Sequence, residues 1–372
     1  MTKHIFKIAV LPGDGIGPEI MNVCIEVLHR LLADQSHFGL TYVAGPGGAQ
    51  HYADTGIALP DSTMRSCEEA DAILFGSMGL PHIRYPDGTE VNPQLGLRKD
   101  FDLYAGVRPI RAIPGVPSVL ADPRAAQIDF VLIREQSEGL FYGRLYPEHQ
   151  PPANDNEAFD LGRITRAGSE RLFDFAFKLA RQRREANPAK GRVTCVDKAN
   201  VLNSMAFFHK IYWEKAKLNP DIAADHCYVD AMALNLVKRP WDYDVIPTEN
   251  QFGDILSDLA AGLIGGLGMS PSGDIGDRHG LFQPSHGTAP DIAGQGKANP
   301  TAMILSAAMM LEWLGQKHAM PEATKEAARL TRAVDAAFAT GRLHSCEQGG
   351  KDGSRAITDA IIGALAKESA LA

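Results

Sequence analysis

The sequence predicts an α/β protein built on a largely parallel sheet. Two observations lead there: short apolar runs recur along the chain, and amphipathic segments of helical period lie between them. Residues 6–11, 72–75, 130–133, 192–196 and 245–248 read as buried strands. Segment 19–32 places Ile20, Val23, Val27, Leu28 and Leu31 on one helical face, and segment 171–184 does the same with Leu172, Phe175, Ala176 and Leu179. At 372 residues the chain exceeds what a single core usually fills, so two domains or one elongated unit are expected. Proline-rich stretches at 108–123 and 147–156 punctuate the pattern; the second reads equally as a surface loop or as an arm toward a second subunit.

Composition narrows the function classes. Apolar residues at 45% and charged residues at 22% are ordinary for a folded soluble enzyme. A net charge of −8 argues against non-specific nucleic-acid binding and against an anionic membrane surface. Cys24, Cys67, Cys195, Cys227 and Cys346 are odd in number and form no C-x-x-C pair, which speaks for reduced thiols in the cytoplasm rather than a disulfide framework or zinc ribbon. The N-terminus runs into a strand with no signal-peptide pattern. The most apolar stretches, 258–269 and 302–314, are too short to span a membrane and read as buried helices.

Several residues suggest chemistry. LPGDGIGPE (11–19) joins a strand to a helix, but its glycines follow G-x-G-x-G rather than the dinucleotide spacing, so a tight turn is the better reading. Asp254 and Asp258 stand four apart, placing two carboxylates on one helical face about 6 Å apart at Cβ. A divalent cation relieves their repulsion, and oxygen-only ligation favours Mg²⁺ or Mn²⁺. Asp230, in YVDAMALNLV, joins them only if the fold brings it near. Arg98, Arg108 and Arg134 lie near strand ends, an arrangement suited to bidentate grip on carboxylates, although each alone is as readily a salt-bridge residue. Lys198 follows an apolar strand, where desolvation can tune it as a general base. The small-residue segment 285–300 suits close backbone approach to a ligand, and Asp291 within it can take both hydroxyls of an adenosine ribose, favouring NAD over NADP.

Seven segments in order across nearly the whole chain resemble the β-decarboxylating dehydrogenases, the isocitrate/isopropylmalate dehydrogenase family. They are LPGDGIGPE, LRKDFDLYAGVRP, VLIREQSEG, VDKANVL, YVDAMALNLV, NQFGDILSDLAAGLIGGLG and HGTAPDIAGQGKANP. The resemblance implies an isopropylmalate-dehydrogenase-like, non-Rossmann fold with the active site in an interdomain cleft. One domain would join residues 1–104 and 265–372; the other, 105–264, would carry the dimer contact and an arm near 140–160. Arg98, Arg108 and Arg134 would hold substrate carboxylates, with Gln94 and Leu95 beside them. Asp254 and Asp258, with Asp230 of a second subunit, would surround Mg²⁺ or Mn²⁺, and Lys198 of that subunit would act as base. His286, Gly287, Thr288, Ala289, Asp291 and Asn299 would hold NAD.

The resemblance therefore implies a cytoplasmic homodimer that oxidises and decarboxylates a 2-hydroxy dicarboxylate of the malate type. The first substrate is 3-isopropylmalate, which would place the enzyme in leucine biosynthesis; tartrate, D-malate and homoisocitrate are the alternatives. A non-catalytic regulatory paralogue and a metal-dependent hydrolase are the readings of other classes. Four positions depart from the family. Phe141 stands where relatives carry a proton-donating Tyr, so Tyr142 is expected to take over through a local bulge, with water, another acid or slow turnover as alternatives. Gln94 brings an amide where an isopropyl group would favour apolar contact, and Gln283 replaces a Glu. Glu249 adds an acid beside the paired aspartates.

Overall fold

The computed structural model describes residues 3–371. Ten strands form one sheet: β1 His4–Gly13, β2 Phe38–Ala44, β3 Ala72–Ser77, β4 Ala105–Arg111, β5 Asp129–Glu135, β6 Arg192–Asp197, β7 Ala223–Tyr228, β8 Val245–Thr248, β9 Pro271–Ile275 and β10 Gly280–Pro284. Their order across the sheet is β2-β1-β3-β10-β9-β4-β5-β8-β6-β7. Pairing is parallel on both flanks, as expected, and antiparallel through β10, β9, β4 and β5. The reason for the reversal is local: the short turn between β9 and β10 can join only antiparallel neighbours. Strands β1, β2, β3, β9 and β10 come from the two ends of the chain, and β4 to β8 from its middle.

Helices cover both faces, so the strands are buried on each side. Along β1, Phe6, Ile8 and Val10 meet the helix Gly17–Leu31 through Ile20, Val27 and Leu28, while Ala9 and Leu11 turn to a second core with Ile73, Phe75 and Leu281. Along β5, Val131 and Ile133 face one side, and Phe130 and Leu132 pack on Met232, Leu256 and Ala260 on the other. The helix Thr301–Lys317 is buried nearly all round, as its composition predicts. The stretch 258–269 is not one helix: Asn250–Leu263 ends where Gly265 and Gly266 take φ values of +113° and +116°. Among the described residues no helix is long and apolar enough to cross a membrane. The cysteines are free, and burial pushes the Cys24 and Cys67 thiols up to about 12.

The glycine loop after β1 is a packing device. Gly13 and Gly15 hold positive φ, and a Cβ on either would sit 2.0 Å from a carbonyl oxygen, of Ser77 and of Thr288 respectively. Asp14 between them accepts from the backbone N–H groups of Ala49, Gln50 and Gly79. The loop thereby fastens β1 to the chain around Thr288, and no phosphate cradle is needed to explain it.

Candidate active site

Where the two halves of the sheet meet, a cleft of about 380 Å³ opens, lined by Arg98, Arg108, Arg134, Asp254, Asp258, Gln94, Leu95, Phe141 and the residues from Gln283 to Thr288. Behind the arginines lies Asp274 on β9, fully buried. Arg98, from the helix Gln94–Asp100, donates through Nε to Asp274 Oδ2 at 2.9 Å. Arg108, from β4, reaches Oδ1 at 3.6 Å. The amides of Gln136 and Gln283 also donate to Asp274, at 3.0 and 2.9 Å. Burial pushes the Asp274 carboxyl up, but Arg98 and Arg108 prevail and hold it below the ordinary carboxylate range. Gln283 therefore has a physical role: a Glu there would place a second acid against this carboxylate.

Arg134 leaves the end of β5 and crosses the helix Asn250–Leu263. The crossing requires Gly253, where a Cβ would lie 2.7 Å from the Cβ of Arg134. Its Nε donates to Asn250 Oδ1 at 2.9 Å, and its Nη1 pairs closely with Asp254. Burial, with Arg98 nearby, pulls the Arg134 guanidinium down to about 10, which leaves it charged at neutral pH. Arg108 is also lowered, by burial first, and its Nη1 is buried with no hydrogen-bond partner. A buried guanidinium donor left open in a cleft is built to meet a carboxylate.

Asp254 and Asp258 share one face of their helix beside these arginines. The Asp258 carboxyl is raised, by burial first and then by Asp254. A divalent cation between the two would relieve that repulsion, so the donor set fits Mg²⁺ or Mn²⁺. Asp230 and Lys198 do not line the cleft. They pair with each other at 2.6 Å on an exposed surface, with 68% of the Asp230 side chain accessible. The acid at 249 is structural: Glu249 caps the helix Asn250–Leu263, accepting from the N–H groups of Gln251 and Phe252, and also takes the N–H of Leu140 at 2.8 Å.

Tyr142 is turned away. Phe141 lies in the cleft, 5.5 Å from the Arg134 guanidinium, while the Tyr142 hydroxyl accepts from Arg163 at 2.7 Å and contacts His149 Nδ1 at 2.6 Å. Tyr142 starts the short helix Tyr142–Leu145 rather than a bulge, and its hydroxyl anchors the segment that follows.

The adenosine-side candidates divide. His286 donates through Nδ1 to the Gly287 carbonyl, and its Nε2 is buried without a partner, an open acceptor at the cleft. Burial lowers the His286 pKa, keeping the ring neutral. Thr288 donates to Gly79 O at 2.7 Å, and Ala289 holds φ +36°, backbone strain of the kind found at ligand sites. Gly287 is exposed with open space around it. These features fit a nucleotide lying on the loop. Asp291 is exposed, whereas Asn299 is committed inward, donating to Glu347 Oε1 and Met269 Sδ and accepting from the Thr301 N–H.

Asp274, Gln136 and Gln283 organise the arginines, and of these only Gln283 stands out in the sequence. Asp274 lies in PSGDI, whose Pro, Gly and Asp hide a strand.

Residues 7–361 match the model of the isocitrate/isopropylmalate dehydrogenase family. The chain is 42% identical to a 3-isopropylmalate dehydrogenase of Heyndrickxia coagulans over 336 residues, covering 88% of this chain and 87% of the relative. It is also 42% identical to a 3-isopropylmalate/3-methylmalate dehydrogenase of Methanocaldococcus jannaschii, covering 86% and 89%. Among solved structures it is similar to an isocitrate dehydrogenase from Methylococcus capsulatus, with a TM-score of 0.84, 35% identity and coverage of 97% and 99%.

Proposed function

The chain belongs to the isocitrate/isopropylmalate dehydrogenase family, and from this premise we propose that it catalyses the NAD-dependent oxidative decarboxylation of 3-isopropylmalate. The observation that carries the reading is the arginine cluster braced on Asp274, with a buried donor of Arg108 left open, facing the paired Asp254 and Asp258. A dicarboxylate satisfies the guanidiniums, and the relatives named above act on such a molecule.

The cleft lies between strands from the two chain ends and strands from the middle, so we take 1–104 with 265–372 as one domain and 105–264 as the other. Arg98, Arg108 and Arg134 bind and orient the two carboxylates, fixing which face of the substrate turns to the loop at His286. When bound, the divalent cation supplies Lewis-acid polarisation of the substrate's oxygen and NAD accepts the hydride. Asp254 and Asp258 hold the cation, His286 to Ala289 hold the nucleotide, and exposed Asp291 takes the ribose hydroxyls.

Lys198 removes the hydroxyl proton as base, and it comes from a second copy of the chain together with Asp230. Support for the homodimer is a surface feature: Leu234, Val237 and Ile255 are 58%, 48% and 60% exposed on the adjoining helices Val229–Lys238 and Asn250–Leu263. With Phe141 in the cleft and the Tyr142 hydroxyl occupied, water supplies the proton that returns to carbon.

The test is an assay of the purified protein with NAD and Mn²⁺ against 3-isopropylmalate, D-malate, tartrate, isocitrate and homoisocitrate, following reduced nicotinamide by absorbance. The highest kcat/KM is expected with 3-isopropylmalate; absence of turnover with all five refutes the reading.

A further inference from the structure

At the ends of β6 and β7 stands a cluster that this chemistry leaves unused: Asp197, His209 and His226. Asp197 is fully buried. Its Oδ1 accepts from the Ala199 N–H at 2.8 Å and lies 2.9 Å from His226 Nε2; its Oδ2 meets His209 Nδ1 at 2.9 Å. The other nitrogen of His209, Nε2, receives the indole N–H of Trp213 at 3.0 Å. An indole can only donate, so the His209 proton sits on Nδ1 and points at Asp197. A metal ion on Nδ1 would drive that proton to Nε2, setting two donors against each other. Trp213, His209 and Asp197 thus form a hydrogen-bonded brace, with the buried His226 Nε2 beside it making no hydrogen bond, although the residue types suit a transition metal.

We infer that Asp197, held by His209, is a positioning residue that fixes Lys198 against Asp230. The inference rests on the role proposed above for Lys198. Lys198 directly follows Asp197 at the end of β6, and the bond from Asp197 to the Ala199 N–H closes the turn that Lys198 occupies. Asp230 begins the helix Val229–Lys238 just beyond β7, the strand that carries His226 and whose Tyr228 is in register with Asp197. The brace therefore ties the end of β6, from which Lys198 projects, to the helix Asn203–Leu218 through His209, while the register of β6 with β7 sets that end beside the one from which Asp230 projects. A lysine with free rotamers gains direction in this way, and a base held at its proton is worth far more in kcat than in binding.

The test uses the whole chain. Asp197→Asn is expected to lower kcat about tenfold or more, with KM for substrate and NAD kept within about twofold. His209→Leu should reproduce that loss, and His209→Gln, which keeps a donor, should recover most of it. The His209 pair decides the matter where Asp197→Asn does not fold. Wild-type kcat in Asp197→Asn, or equal losses in His209→Gln and His209→Leu, overturns the inference. So does one equivalent of tightly bound zinc in the wild type that His226→Leu abolishes. Full turnover by Lys198→Met refutes instead the role of Lys198 itself; an inactive Lys198→Met beside a fully active Asp197→Asn refutes the positioning alone.

Discussion

The arginine cleft and the Lys198–Asp230 pair are both built of opposite charges, yet they occupy opposite environments. Arg98, Arg108 and Asp274 are buried, cross-braced by Gln136 and Gln283, and complete within one chain. Lys198 and Asp230 meet on an exposed surface beside unpartnered apolar side chains. An exposed pair contributes about 0–1 kcal/mol, so stability does not account for its placement. The difference teaches that one chain holds a finished anion receptor and, on another face, an exposed charged pair which, on the function proposed above, serves the receptor of a second copy.

The comparison breaks most sharply at Asp274. Asp274→Asn leaves Arg98 and Arg108 buried without their counter-charge, and should cost roughly 3–5 kcal/mol of stability in urea unfolding, along with substrate binding. Lys198→Met should do the reverse. It is expected to lower kcat by about 10²–10⁴ while unfolding free energy stays within about 1 kcal/mol of wild type. Equal stability losses in the two variants would erase the distinction. Leu234→Asp sharpens it from the surface side. Burying a lone carboxylate in the proposed contact costs roughly 3 kcal/mol, about a hundredfold in dimer Kd, and ultracentrifugation should find folded, inactive monomers.

The smallest effect concerns the segment next to the cleft. Tyr142→Phe removes the hydroxyl bonded to Arg163 and His149, and should cost about 1 kcal/mol in thermal unfolding with kcat unchanged. A fall in kcat with stability preserved would return Tyr142 to the chemistry.

Legibility in the sequence follows the same division. Apolar strands β1, β3, β5, β6 and β8 are readable because both faces are buried in Val, Ile, Leu and Phe. Four of the remaining strands escape for plain reasons: β4 carries two arginines and a proline, β7 is a polar edge strand, β9 is a run of turn-forming residues, and β10 is short and ends in Pro284. The arginines and paired aspartates could be named from residue type and spacing. Asp274 could not, since its meaning depends on a strand order that pairs β9 with β4 across long sequence separation. The orientation of Tyr142 was not legible, because the expected bulge is instead the start of a short helix. Glu249 stood out only as an extra acid, because an N-cap carboxylate is not told from any other acid by residue type alone.

The most direct measurement of the central claim is complementation between two inactive variants. Arg108→Leu lacks the receptor and Lys198→Met lacks the base, and subunits of the two are mixed through reversible unfolding and refolding. If each site takes its lysine from the second copy, random pairing should restore about one quarter of wild-type activity, because half of the dimers carry one intact site. A mixture as inactive as its parents, under conditions where wild-type subunits refold and exchange, would contradict the account.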